Sequence, residues 1–144
     1  MILEDFAGIR NFTADEVTRT GAKLNDVDGS LLSAYDKFRD LVGRRVTLLP
    51  GGLTTGNHNS IWHKKGMAGD CALYEEDGPV SVSDVFKAAL EAGFKGIGVY
   101  YNQIAYSFHL DLRPAYGFWA RYREHREPHW HEVGLIVDPK MFLK

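Results

Sequence analysis

The segment Tyr106–Arg113 alternates without a break. Ser107, His109, Asp111 and Arg113 fall on one side of an extended chain, and Phe108, Leu110 and Leu112 fall on the other. A strand written this way covers a hydrophobic core with one face and carries an imidazole, a carboxylate and a guanidinium on the other. A sheet with one solvated face produces the same alternation. The pattern therefore constrains the fold before it says anything about chemistry.

The rest of the chain supplies partners for that strand. Gly96–Tyr101 reads as a second strand, and the Asn102-Gln103 turn lets the two pair as a hairpin. Met67–Tyr74 and Val46–Leu49 read as further strands, the latter bounded by Pro50-Gly51-Gly52. A short helix is expected from Thr13, with Glu16 at the capping-box position and Gly21 soon after. A second opens at Asp28-Gly29-Ser30, repeats Leu31, Tyr35, Phe38 and Leu41 at helical spacing, and stops at Gly43. A third runs from Ser81 or Ser83 to Ala92, with Gly93 as its stop. Residues 50–66 read as irregular loop. Beyond Pro114 the one element signalled is a short strand at Leu135–Val137. With no internal repeat, low-complexity tract or linker, the 144 residues are expected to form a single α+β domain: a small antiparallel sheet with helices packed on one side.

Composition narrows the function classes. A formal net charge of −2 with both signs interspersed gives no electrostatic footprint for nucleic acid. The longest uncharged run, Val46–His63, is rich in Gly, Thr and Asn and cannot span a bilayer, so no membrane insertion is expected. No basic segment followed by an apolar one opens the chain, so no secretory signal is expected. The one cysteine, Cys71, excludes an intramolecular disulfide and reads as a small buried hydrophobe.

His63, Asp70 and His109 offer two imidazoles and a carboxylate. With a fourth position open to water, that is the donor set of a catalytic zinc site; Mn²⁺ or Fe²⁺ suits the same donors. The odd separation of His63 and Asp70 would put them on opposite faces of a continuous strand. Convergence requires a bend, and Gly66 is the residue able to supply it. Ala68 and Gly69 would leave room beside the carboxylate. His58 reads as a solvated loop residue, His129 and His131 as surface, and Trp62 as a packing residue.

These residues also resemble a family signature. Ser60…His63-x-x-Gly66-x-Ala68-x-Asp70 is similar to the Ser-x-His-x-x-Gly-x-Ala-x-Asp motif of zinc D-Ala-D-Ala carboxypeptidases and L-alanyl-D-glutamate endopeptidases, whose fold is shared with the hedgehog signalling domain. Gly96-Ile97-Gly98-Val99-Tyr100 followed by Phe108-His109-Leu110-Asp111-Leu112-Arg113 resembles the second half of phage-type members, and Phe118–Tyr122 resembles their Ala-Arg-Trp tail. The likeness spans about residues 10–122. It implies a hedgehog/DD-peptidase-like fold, one zinc held by His63, Asp70 and His109, and hydrolysis of peptide bonds in peptidoglycan stem peptides. It also implies a phage or prophage origin, with release or virion packaging bringing the enzyme to the cell wall.

The sequence departs from that family at three places. Ser107 occupies the position where the family carries its proton-transferring residue, and serine is no base at neutral pH without activation. Asp111, on the same strand face as His109, is the substitute candidate, with orientation of His109 or Arg113 as its other role. Ser60 stands one residue further from His63 than usual. The arginine loop that normally receives a substrate carboxylate reads Leu49-Pro50-Gly51-Gly52-Leu53, which leaves Arg113, with Ser60, as the substrate-contacting candidates. The alternative function is a catalytically inactive metal-binding module of the same fold.

Overall fold

The computed structural model describes residues 3–56, 60–103 and 105–134. Its elements run α1 (Ala14–Thr18), α2 (Gly29–Val42), β1 (Thr47–Leu48), α3 (Ile61–Lys64), β2 (Ala68–Tyr74), α4 (Val82–Ala92), β3 (Gly96–Tyr101), β4 (Ala105–Asp111), β5 (Gly117–Tyr122) and β6 (His131–Val133), with short 3-10 turns between some of them. The helices start and stop where their terminal groups are satisfied. Thr13 and Glu16 form the reciprocal capping box of α1. Asp28 accepts from the Ser30 amide to open α2, and Ser81, rather than Ser83, caps α4. Gly43 and Gly93 end the two long helices at φ +66° and +104°, a conformation that favours glycine.

The six strands form one sheet in the order β1-β2-β4-β3-β5-β6. The expected all-antiparallel sheet is corrected to a mixed one, because β5 runs parallel to β3. Both edges of β4 are already taken, by β2 and by β3. The chain leaving β4 therefore passes the end of β3 and pairs with its open edge. Reversing direction relative to β4 makes it parallel to β3. Strands β5 and β6 were not signalled in sequence, and the expected strand at Leu135–Val137 lies outside the described residues.

One sheet face is apolar. Cys71, Leu73, Ile97, Phe108 and Leu110 are fully buried there with Phe38, Phe86 and Phe94. Helices α2 and α4 pack on this face: the Tyr35 hydroxyl donates to Gly69 O at 2.5 Å, and the Phe86 ring lies 6.3 Å from that of Phe118. Tyr35 corrects the expected role of Gly69. A Cβ on Gly69 would approach the Tyr35 ring at 2.8 Å, so this glycine makes room for the core and not for the Asp70 carboxylate. Among the described residues no helix is long and apolar enough to cross a membrane.

Candidate metal centre

Cross-strand register arranges the opposite face in rows. One row is Asp70, His109, Gly98 and Trp119. On one side of it lie Ala68, Asp111, Gly96 and Gly117; on the other lie Ala72, Ser107, Tyr100 and Arg121. Residues directly opposite share a face, so side chains within a row are neighbours.

His63 reaches this face from α3, a four-residue helix inside the segment expected to be loop. The correction has a local cause. Ser60 accepts from the Trp62 amide at 3.1 Å and starts the helix. Gly66, at φ +70°, then turns the chain into β2. A Cβ there would collide with the Asp26 carbonyl oxygen, and the Gly66 carbonyl accepts from the Asp28 amide at 3.0 Å. The bend that convergence required is thus pinned to the entrance of α2. A second constraint comes from the loop after β1, where the Asp70 amide donates to Gly52 O at 2.7 Å. That contact sets Leu53 O within 2.7 Å of His63 Nδ1.

Three donor atoms converge. His63 Nε2 and His109 Nδ1 are 3.2 Å apart, and Asp70 Oδ1 lies 3.4 Å from the first and 3.3 Å from the second. Both imidazoles are nearly inaccessible, while Asp70 keeps partial access to solvent. The outer nitrogen of each ring determines its tautomer. His63 Nδ1 faces a carbonyl, which only accepts, so it carries the proton. His109 Nε2 faces Asp111 Oδ2 at 2.6 Å and donates to it. In their neutral forms, therefore, both rings turn lone pairs toward the Asp70 carboxylate. Three acceptors within 3.4 Å of one another need a positive centre, and this buried cluster is capable of chelating a divalent metal ion.

The electrostatics agree with the geometry. Without a metal, protons take its place between the same atoms: burial pushes the Asp70 carboxyl upward, but hydrogen bonds and charge from His109 and His63 in their protonated forms outweigh it and hold it at about 2. Burial pulls His109 down, yet Asp111 and Asp70 leave it raised. Asp111, with no exposed surface, would also be pushed up by burial; His109 and Arg113 instead hold it well below the usual carboxylate range. Arg113 grips it at two points, Nε to Oδ1 at 2.8 Å and Nη2 to Oδ2 at 2.6 Å, and its amide adds a third contact at 3.1 Å.

The donors open onto a cleft of about 480 Å³ that Ser60, Tyr100, Ser107, Trp119, Arg121 and Trp130 help to line. Trp119 was not expected at the site. Its ring centroid is 5.1 Å from that of His109, and its Nε1 donates to the Tyr100 hydroxyl at 2.8 Å. The signal for it was the Gly-x-Gly in β3, since a strand glycine often marks close approach. A Cβ on Gly98 would collide with Trp119, and one on Gly96 would collide with Asp111. His129 and His131 are exposed, as read from sequence, and His131 contacts Glu127. Lys65 sits over the Trp62 ring, and Cys71 is fully buried. His58 lies outside the described residues.

The fold and the site together define an α+β protein with a buried His/His/Asp cluster capable of coordinating a metal ion. No protein family, no curated protein and no solved structure matches this chain.

Proposed function

We propose that the chain is a zinc-dependent peptidase acting on bacterial peptidoglycan stem peptides, in the manner of D-Ala-D-Ala carboxypeptidases and L-alanyl-D-glutamate endopeptidases, with the hedgehog/DD-peptidase type of fold. The observation carrying this reading is the triangle of acceptors at 3.2, 3.3 and 3.4 Å beside an open cleft. Donors about 2.0–2.1 Å from a tetrahedral centre stand about 3.3–3.4 Å apart, whereas octahedral Mg²⁺ at that range brings neighbouring donors to about 2.8–3.0 Å. The spacing therefore favours zinc. Zinc, when bound, supplies carbonyl polarisation and an activated water near neutral pH.

The chain's own residues prepare that chemistry. Leu53 O and Asp111 hold the two imidazoles in the tautomers that present Nε2 and Nδ1. Of the two roles open to Asp111, the geometry favours orientation: both oxygens are engaged, and its low proton affinity suits a fixed anion better than a proton carrier. Tyr100 accepts from Trp119 and keeps its own O–H for a second partner, which suits donation to a developing oxyanion.

The test is release of peptide fragments from purified peptidoglycan and synthetic stem peptides by the zinc-loaded protein. Fragments lost on chelation and restored by zinc are the expected result. No fragments at full zinc occupancy would overturn the hydrolytic reading. It would favour a non-catalytic binding module, which Ser107 and the fully engaged Asp111 already recommend as the second reading.

A further inference from the structure

Helix α2 meets the supports of the metal donors twice. At its start the Asp28 amide donates to Gly66 O at 3.0 Å, which pins the turn between α3 and β2 and with it His63. Seven residues on, about 10 Å along the helix, Tyr35 reaches β2. Its hydroxyl donates to Gly69 O at 2.5 Å. The Asp70 amide, in the same peptide unit as that carbonyl, donates to Gly52 O at 2.7 Å, and Asp70 O accepts from the Leu49 amide at 3.0 Å. The peptide plane leading into Asp70 is therefore held at both ends.

The Tyr35 contact is tightly built. The side chain is 1% exposed, and the rings of Phe12, Phe38 and Phe94 stand 6.2, 6.2 and 5.1 Å from its own at steep angles, which restricts its orientation. Burial pushes the hydroxyl well above the ordinary tyrosine range, so it stays protonated and donates. A Cβ at position 69 would meet the ring at 2.8 Å and the hydroxyl at 3.0 Å, so the approach demands glycine. Glycine in turn leaves the strand softer just before a metal donor. Phenylalanine would fill the same core space; the hydroxyl supplies the restraint that the glycine gives up.

We infer that Tyr35 is a positioning residue for the metal centre: its hydroxyl fixes the Gly69–Asp70 peptide plane, and so the reach of the Asp70 carboxylate toward His63 and His109. Contacts that aim a ligand from outside commonly change metal affinity by about 10- to 100-fold. Acting through the backbone, Tyr35 belongs at the lower end of that range. The inference rests on the three donors holding a metal ion and is independent of the peptidase reading.

The test combines calorimetric titration with zinc, the visible spectrum of the cobalt-loaded protein and denaturant unfolding. Tyr35→Phe should weaken zinc binding about tenfold and alter the cobalt absorption bands, which report donor geometry. Gly69→Ala, whose methyl would press on the Tyr35 ring, should do the same. The double variant should lose little more than either single one, because both break one contact. Phe86→Leu is the control, a fully buried change on α4 beside Phe118. It should lower stability at least as much as Tyr35→Phe, yet keep zinc affinity within about twofold and the cobalt spectrum of the wild type. Wild-type affinity and spectrum in Tyr35→Phe overturn the inference. An equal loss in Phe86→Leu does so too, because the effect would then be one of general stability. Losses that simply add in the double variant would also contradict it. A wild type that binds neither zinc nor cobalt removes the metal centre and the inference together, whereas failure to hydrolyse peptides touches neither.

Discussion

Two rows of one sheet face flank the metal-binding row, and they are built on opposite principles. On the Asp111 side every neighbour is small. Ala68, Gly96 and Gly117 give way to the Asp111–Arg113 pair: a Cβ on Gly96 would meet Asp111, and one on Gly117 would come within 2.8 Å of Arg113 Nη1. The carboxylate has no exposed surface, and His109 and Arg113 engage both its oxygens. On the Tyr100 side Ser107, Tyr100 and Arg121 line a cleft, and two of them are long side chains where the closed row has glycines. The first row fixes a ligand. The second row opens onto the cleft.

The largest expected effect short of losing a ligand is on the closed row. Asp111→Asn leaves Arg113 without its counterion and replaces the anion that fixes His109. Metal affinity should fall about 10- to 100-fold. Stability should fall by about 3 kcal/mol, the low end for breaking a buried pair, because a quarter of the Arg113 side chain still reaches solvent. Calorimetric titration with zinc and denaturant unfolding measure the two. An Asn variant that binds zinc as the wild type does would break the distinction between the rows.

Acidity should act next. His109 is raised in the metal-free protein, so its contribution to stability is present below the unfolded value and lost as pH rises through the folded one. Asp70 has the opposite sign: its contribution is present above the ordinary carboxylate value and lost as pH falls through about 2. A metal must displace the His109 proton. Affinity should therefore drop by about tenfold per pH unit per proton once pH lies below the raised His109 value, with proton release measurable by titration in buffers of different ionisation enthalpy. A flat affinity between pH 5 and 7.5, values chosen to bracket about the ordinary imidazole range, would contradict the assignment of His109.

Gly96→Ala should cost about 1–3 kcal/mol by overpacking and should also weaken metal binding, because the only way to seat the methyl is to move Asp111. The smallest effect is expected in the open row. Arg121→Gln should leave zinc affinity unchanged and stability within about 0.5 kcal/mol, because its ion pair with Glu132 is long and solvent-exposed. A loss of zinc affinity comparable to that of Asp111→Asn would show that the rows are not functionally distinct.

Much of this was legible in sequence where one physical rule dominates. Alternation in 106–113 identified β4 and its polar face, and caps with terminal glycines identified α2 and α4. The need for a bend at Gly66 followed from the odd spacing of His63 and Asp70. The missed parts depend on partners distant in the chain. Helix α3 is four residues long, too short for periodicity to register, and its cap is a single serine contact. Strand β5 hides its alternation because the consecutive Phe118 and Trp119 put an aromatic ring on each face, and its place beside β3 depends on β4 having no free edge. The purpose of Gly96 and Gly98 became readable only when Asp111 and Trp119 were seen opposite them.

The central claim is that His63, Asp70 and His109 hold one metal ion. Zinc content by elemental analysis after dialysis, combined with X-ray absorption at the zinc edge, tests it most directly. The account predicts one zinc per chain, two imidazole nitrogens and one carboxylate oxygen from the protein, and affinity lowered on the order of 10³-fold or more by alanine at any of the three positions, beyond the 10- to 100-fold effect of a supporting residue. Protein that retains no zinc, or that retains it equally in the His63→Ala, Asp70→Ala and His109→Ala variants, would contradict it.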